Sequence, residues 1–226
     1  MSSQTISVPF ERRHTTRRFI AFSAGVYLAA WVIGLFVSPA APSTTASAEA
    51  IHRHFVANHD SALLQSYLVH GVAGIALAAF VITSWRTLQT PDGSRRRPIL
   101  AAGIGAALLS LIQVAIAQGL FLHVAGRGEA VTTAALFDAI NYVDSAKLLA
   151  LSAFVTFVTV ALIQMRVASR MTKILGRATA VLLPVGGATF IVPNPLLTAA
   201  LYASLPALLV WVAHSAPKIS RAADSR

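Results

Sequence analysis

The sequence predicts an all-α, polytopic transmembrane helical bundle of six spans with both termini cytoplasmic. Three observations predict it. Of the 226 residues, 56% are hydrophobic and only 12% charged, where a soluble domain carries about 25% charged residues. The hydrophobic residues gather in runs close to the ~20 residues that cross a bilayer. The basic residues sit in short clusters between alternate runs, as the positive-inside rule demands.

Composition also excludes chemistry. There is no cysteine, so disulfides, thiolate metal sites, iron–sulfur clusters and cysteine nucleophiles are out. A net charge of +10 raises nucleic acid as a partner, but the charges are dispersed among apolar runs and build no single basic face. The expected partner is the lipid bilayer, and no nucleic acid. No nucleophile elbow, phosphate-binding loop or zinc-protease motif occurs.

Residues 1–18 form a basic N-terminal segment. The first apolar run, Phe19–Val37, exceeds the 7–15 residues of a signal-peptide core and reads as a retained span. Pro39 and Pro42 end it. In the next loop, Ala48–Asn58 has the pattern of a short surface helix with Ile51, Phe55 and Val56 toward lipid. Asp60 is the expected N-cap of the next helix. The second span is read over 63–85, closed by Trp85 and Arg86. Pro91-Asp-Gly93 marks a turn, and Pro98 opens a third span over 99–122.

Residues 131–143 carry Leu136, Phe137, Ile140 and Val143 at helical spacing. This segment is either interfacial or the start of the fourth span, read over 145–165. The fifth run, 174–192, is anomalous. Its charge-free part, 178–192, gives ~22 Å of helix against a hydrocarbon core of ~30 Å, and Pro184-Val-Gly-Gly187 interrupts it. Pro193-Asn-Pro195 reads as a hairpin before a sixth span over 196–213. A basic cytoplasmic tail, 214–226, closes the chain. Residues 19–213 are thus one membrane domain.

Orientation is set by charge. Arg12, Arg13, Arg17 and Arg18, then Arg86 and Arg95–Arg97, then Arg166, Arg170, Lys173 and Arg177, then Lys218, Arg221 and Arg226 all fall on one side. The other side holds Arg53 and Arg127, with Lys147 at the mouth of the fourth span. The first side is therefore cytoplasmic. Most acids and five of the seven histidines fall on the outer half.

The stretch Asp138–Lys147 concentrates the polar chemistry. Asp144 and Lys147 stand three apart, as an ion pair on one helix does. His70 lies ~10 Å and Gln113 ~14 Å inside the outer ends of their spans, from helix rise. With Gln118, His123 and Asn141 they outline an outward-facing pocket for a lipid or apolar small molecule, because polar groups in lipid turn to the bundle interior or a wet cavity. The alternative reading is packing glue, with interhelical hydrogen bonds worth ~0.6 kcal/mol each.

Other chemistries are carried by fewer residues. Asp138, Asp144 and Asp60 are the acids an intramembrane enzyme, such as an isoprenoid cyclase, would use. Asp138 and Asp144 alone point ~120° apart on a helix. His52, His54 and His59 supply imidazoles for a metal, although a solvated histidine-rich helix explains them equally. His70 and His123 differ in depth by ~10 Å, which disfavours a haem between them. The short fifth run admits a small transporter or channel. An accessory role in a membrane complex is also consistent with the pattern. No residue pattern names a cofactor.

Leu63-Leu-Gln-Ser-Tyr67, Leu136-Phe-Asp-Ala-Ile-Asn141 and Ile174-Leu-Gly176, in this order of spans, are similar to a broad group of bacterial integral membrane proteins of five or six spans. That resemblance implies a multi-pass protein of the cell membrane and implies no activity. Asp144-Ser-Ala-Lys147 also resembles the retinal-lysine region of microbial rhodopsins. The spacing here is three rather than four, and six runs stand in place of seven, so retinal is not expected.

Overall fold

The computed structural model describes residues 10–88, 96–125 and 128–222. The expected turn at Pro91-Asp-Gly93, much of the basic N-terminal segment and residues 126–127 lie outside them. The described residues are helical throughout, joined by short connections. The helices are α1 Phe10–Val37, α2 Ala48–Ala57, α3 His59–Ser66, α4 Ala73–Thr87, α5 Arg96–Ala125, α6 Ala130–Gln164, α7 Arg170–Gly187 and α8 Pro195–Ala222. A π turn, Tyr67–Val72, joins α3 to α4 without a break. Together they make one long helix from His59 to Thr87.

Five helices among the described residues are long and apolar enough to cross a membrane: Thr15–Val37, His59–Thr87, Arg97–Val124, Ala130–Gln164 and Pro195–Ala222. Phe22, Phe36, Ile75, Leu122, Leu149 and Leu196 are exposed around the outside. A soluble monomer rarely shows so much contiguous apolar surface. The same side chains are at ease against hydrocarbon.

Sequential helices pack side by side from α4 to α8, and α1 closes the ring by lying between α4 and α8. Small residues set the closest crossings, as in membrane bundles generally. A Cβ on Gly186 of α7 would stand 2.6 Å from the Leu201 backbone of α8, so only glycine permits that approach. The ring is filled on one level by Phe80, Phe154 and Trp211, stacked edge to face at 6.3 and 6.0 Å. Trp211 Nε1 donates to Thr159 Oγ1 at 3.1 Å, which satisfies the indole that burial would otherwise orphan.

Of the two readings open for residues 131–144, the structure has the second: they are the first turns of α6, which is one helix of 35 residues. Several expectations are corrected. Lys147 is therefore the middle residue of α6 and not at a rim. Ile51 and Phe55 of α2 do not face lipid. They are buried with Leu120, Phe121 and Phe137, because α2 folds inward over α5 and α6. Asn58 precedes α3; Asp60 stands in its first turn, where a carboxylate favours the helix dipole.

The fifth run also differs. α7 spans 18 residues and ends at Gly187, with a single 3-10 turn, Ala188–Phe190, after it. Its cations, Arg170, Lys173 and Arg177, occupy the first turns. It is not among the helices that length and apolarity mark as spans. α8 does not stop at residue 213. It continues through Pro206 and Pro217 to Ala222, because Ile219 and Ala222 are buried in the core.

Candidate functional site

Four polar side chains named from the sequence meet inside the bundle. Lys147 of α6 is 2% exposed and forms an ion pair with Asp144 one turn before it. Its Nζ donates to Gln113 Oε1 of α5 at 2.7 Å and lies 3.4 Å from His70 Nδ1. Gln113, wholly buried, returns its amide hydrogens to Asp144 Oδ1 at 2.9 Å and to the Ile140 carbonyl at 3.2 Å. Each ammonium hydrogen thus has an acceptor. Charge is balanced inside the group by one cation and one carboxylate.

Local structure explains how these residues find each other. Residues 144 and 147 share a helix face. Gln113 reaches α6 because α5 and α6 pack along their length. His70 lies in the π turn. An extra residue in a helical turn rotates the later residues relative to a regular helix, and such turns recur at functional sites.

Two neighbours were not expected. Trp31 of α1 places its ring 5.8 Å from Lys147 Nζ, within the ~6 Å of a cation–π contact. Tyr27, four residues before Trp31 on α1, is buried as well. The only hint in the sequence is that Tyr27 and Trp31 stand four apart, on one face of a run otherwise rich in Ala and Gly.

The remaining expected residues do not join. His123 is bound to the Glu129 carbonyl at 3.1 Å, at the far end of α5. No hydrogen bond among the described residues ties Gln118 to the group. Asn141, 8% exposed, lies one turn before Asp144, and its Nδ2 has no partner among the described residues. The acids stay apart: Asp60 is exposed and paired with His59, Asp138 is partly exposed, and neither bonds to Asp144 among the described residues.

The three histidines of the α2 region also go separate ways. His52 Nδ1 is 2.9 Å from Thr133 Oγ1 of α6. His54 packs edge-on against Phe55. His59 bonds Asp60 and lies 3.3 Å from the Phe121 carbonyl. Among the described residues no three His, Asp or Glu side chains are placed to hold one metal ion. These contacts fasten α2 and the start of α3 over the ends of α5 and α6. The entrance expected on that side is therefore covered by α2.

Burial of His54 lowers its pKa from the usual 6.5 of an imidazole. A base depressed by folding binds fewer protons folded than unfolded. Its stabilising contribution is present above pH ~6.5 and is lost as pH falls below it. Amide exchange over residues 48–57, corrected for intrinsic rate, is expected to be faster at pH 5 than at pH 7.5. His54→Gln should reduce the difference.

A cavity of about 510 Å³ lies away from this group, between the loop Ser43–Thr45 and the α7–α8 connection, with Thr189, Asn194, Thr198 and Tyr202 in its wall. Its lining carries no charged side chain. No family model, curated protein or solved structure matches the chain significantly.

Proposed function

We propose that the chain is a six-pass, non-enzymatic protein of the bacterial cell membrane, with both termini cytoplasmic, that binds a lipid or apolar small molecule beside the Asp144–Lys147 pair. The basic clusters support the orientation, and α7 supplies the sixth pass despite its charged first turns. One observation carries the binding reading. Asp144 keeps 21% of its side chain exposed while its partner Lys147 keeps 2%. A carboxylate held in an apolar ring and still accessible is costly to leave bare, and a ligand's polar end would relieve that cost.

Native mass spectrometry of the purified protein tests this. A retained molecule is expected in the wild type and depleted in Gln113→Leu, which removes the amide bridging α5 and α6. No retained molecule in either protein would remove the reading. For orientation, tags at both termini should be protected in sealed right-side-out cells, and a tag within residues 43–46 should be accessible.

A transport reading has one observation in its favour. Ser145, next to Asp144, donates to the Gly187 carbonyl at 2.9 Å, so the end of the shortened α7 abuts the ion pair. Short or interrupted membrane helices often border substrate sites. Solute flux into vesicles carrying the wild-type protein, and absent from protein-free vesicles, would favour it.

A further inference from the structure

α7 carries exposed cations and exposed apolar side chains on neighbouring faces. Arg170, Lys173 and Arg177 are all exposed, and at 3.6 residues per turn they fall within an arc of about 60°. Met171, Ile174 and Val181 are exposed as well and occupy the adjoining ~80°. A cationic stripe therefore runs beside an apolar one. The opposite side of the helix, with Thr172, Gly176, Thr179 and Leu183, is buried against the bundle.

The cationic stripe runs into the depth of the bundle. Arg177 stands seven residues beyond Arg170, ~10 Å further along the helix. Its neighbour Gly176 lies directly against Thr159 of α6, and Thr159 accepts the indole hydrogen of Trp211. Arg177 is thus level with the buried Trp211 indole while its own side chain faces outward.

The chain supplies no counter-charge there. Among the described residues, none of the three cations has an ion pair or a side-chain hydrogen bond. Gly176 opposite Thr159 and Gly187 opposite Leu148 make α7 antiparallel to α6. The acids with described side chains, Glu49, Asp60, Glu129, Asp138 and Asp144, all precede the second half of α6, so the cations of α7 lie at its other end.

Cations in water need no partner, but an arginine facing hydrocarbon does, unless its side chain reaches the interface. A phospholipid brings a fixed anion and apolar chains together. Guanidinium groups bind phosphate through paired hydrogen bonds. A soluble acidic partner would satisfy the cations and leave Ile174 and Val181 uncovered.

We propose that Arg170, Lys173 and Arg177 seat the phosphate of an anionic phospholipid whose acyl chain lies along Ile174 and Val181. This inference rests on α7 crossing the membrane, as read above, and is independent of the ligand beside Asp144.

The test titrates the full detergent-purified chain with phosphatidylglycerol and phosphatidylcholine of identical acyl chains and reads bound lipid by native mass spectrometry. Phosphatidylglycerol is expected to bind on the order of tenfold more tightly, as a few cations near a lipid surface provide, with the ratio shrinking as salt rises. Arg170→Gln with Arg177→Gln should abolish the preference. Lys218→Gln with Arg221→Gln, which removes the same charge from the end of α8, should leave it intact. If the first pair fails to fold, Arg177→Gln alone is read in its place.

Equal binding of the two lipids by the wild type overturns the proposal, as does an equal loss in both double variants. Because the chain has no cysteine, Ala178→Cys carries a unique nitroxide label at an exposed position of α7, and its access to oxygen and to a water-soluble relaxant in lipid nanodiscs separates the two claims. A label in hydrocarbon without lipid preference sinks only the phosphate assignment. A label in water sinks the sixth pass as well and leaves the stripe to a soluble acidic partner.

Discussion

Lys147→Met is expected to destabilise the folded bundle by about 3–5 kcal/mol, the loss incurred when one partner of a buried ion pair is removed and the other stays. Three hydrogen-bond acceptors lose their donor at once: Asp144, Gln113 and His70. The Asp144 charge then has only the Gln113 amide. The double variant Lys147→Met with Asp144→Leu should recover much of that loss, because it removes the charge as well as its counterion. Thermal unfolding of the three proteins under identical conditions measures it. A single variant that melts with the wild type would show that Lys147 is not buried among these groups.

Phe55→Ala is expected to undock α2, with a local cost of about 3–5 kcal/mol. The ring stands 5.9 Å from Phe121 and 5.6 Å from Phe137, and α2 has only Ile51 as a second buried anchor. The loss should fall on one element. Protease cleavage and amide exchange would rise across residues 48–57, while the Phe80–Phe154–Trp211 level keeps its protection. If α2 is the cover over the α5–α6 entrance, ligand exchange should also quicken. Unchanged protease sensitivity in α2 would contradict the packing described.

The polar group was partly legible from the chain because charge in an apolar run is rare. Asp144, Lys147, Gln113 and His70 stood out for that reason, and the structure brings these four together. Helix rise from residue 145 puts Lys147 at a rim. The turns before it have helical spacing, but Asp138 and Asn141 leave open whether they belong to the span. The depth of Gln118 and His123 along α5 says nothing about which face of the helix they occupy.

The inward turn of α2 is hidden in the sequence for a related reason. Ile51, Phe55 and Val56 form an apolar stripe, and a stripe does not distinguish lipid from protein. The partners that settle the matter, Phe121 and Phe137, lie far away in sequence. Trp31 could not be tied to Lys147 for the same reason: nothing local links α1 to α6.

The sequence by itself determined that the chain is helical and suited to lipid, because the length and polarity of each run are properties of consecutive residues. It also marked which rare polar side chains needed partners. Only the tertiary structure decided which partners they found, that α2 turns inward, and that α7 ends at Gly187. Those outcomes depend on helix rotation, on a π turn at Tyr67–Val72 and on contacts between residues far apart in the chain, none of which a local pattern encodes.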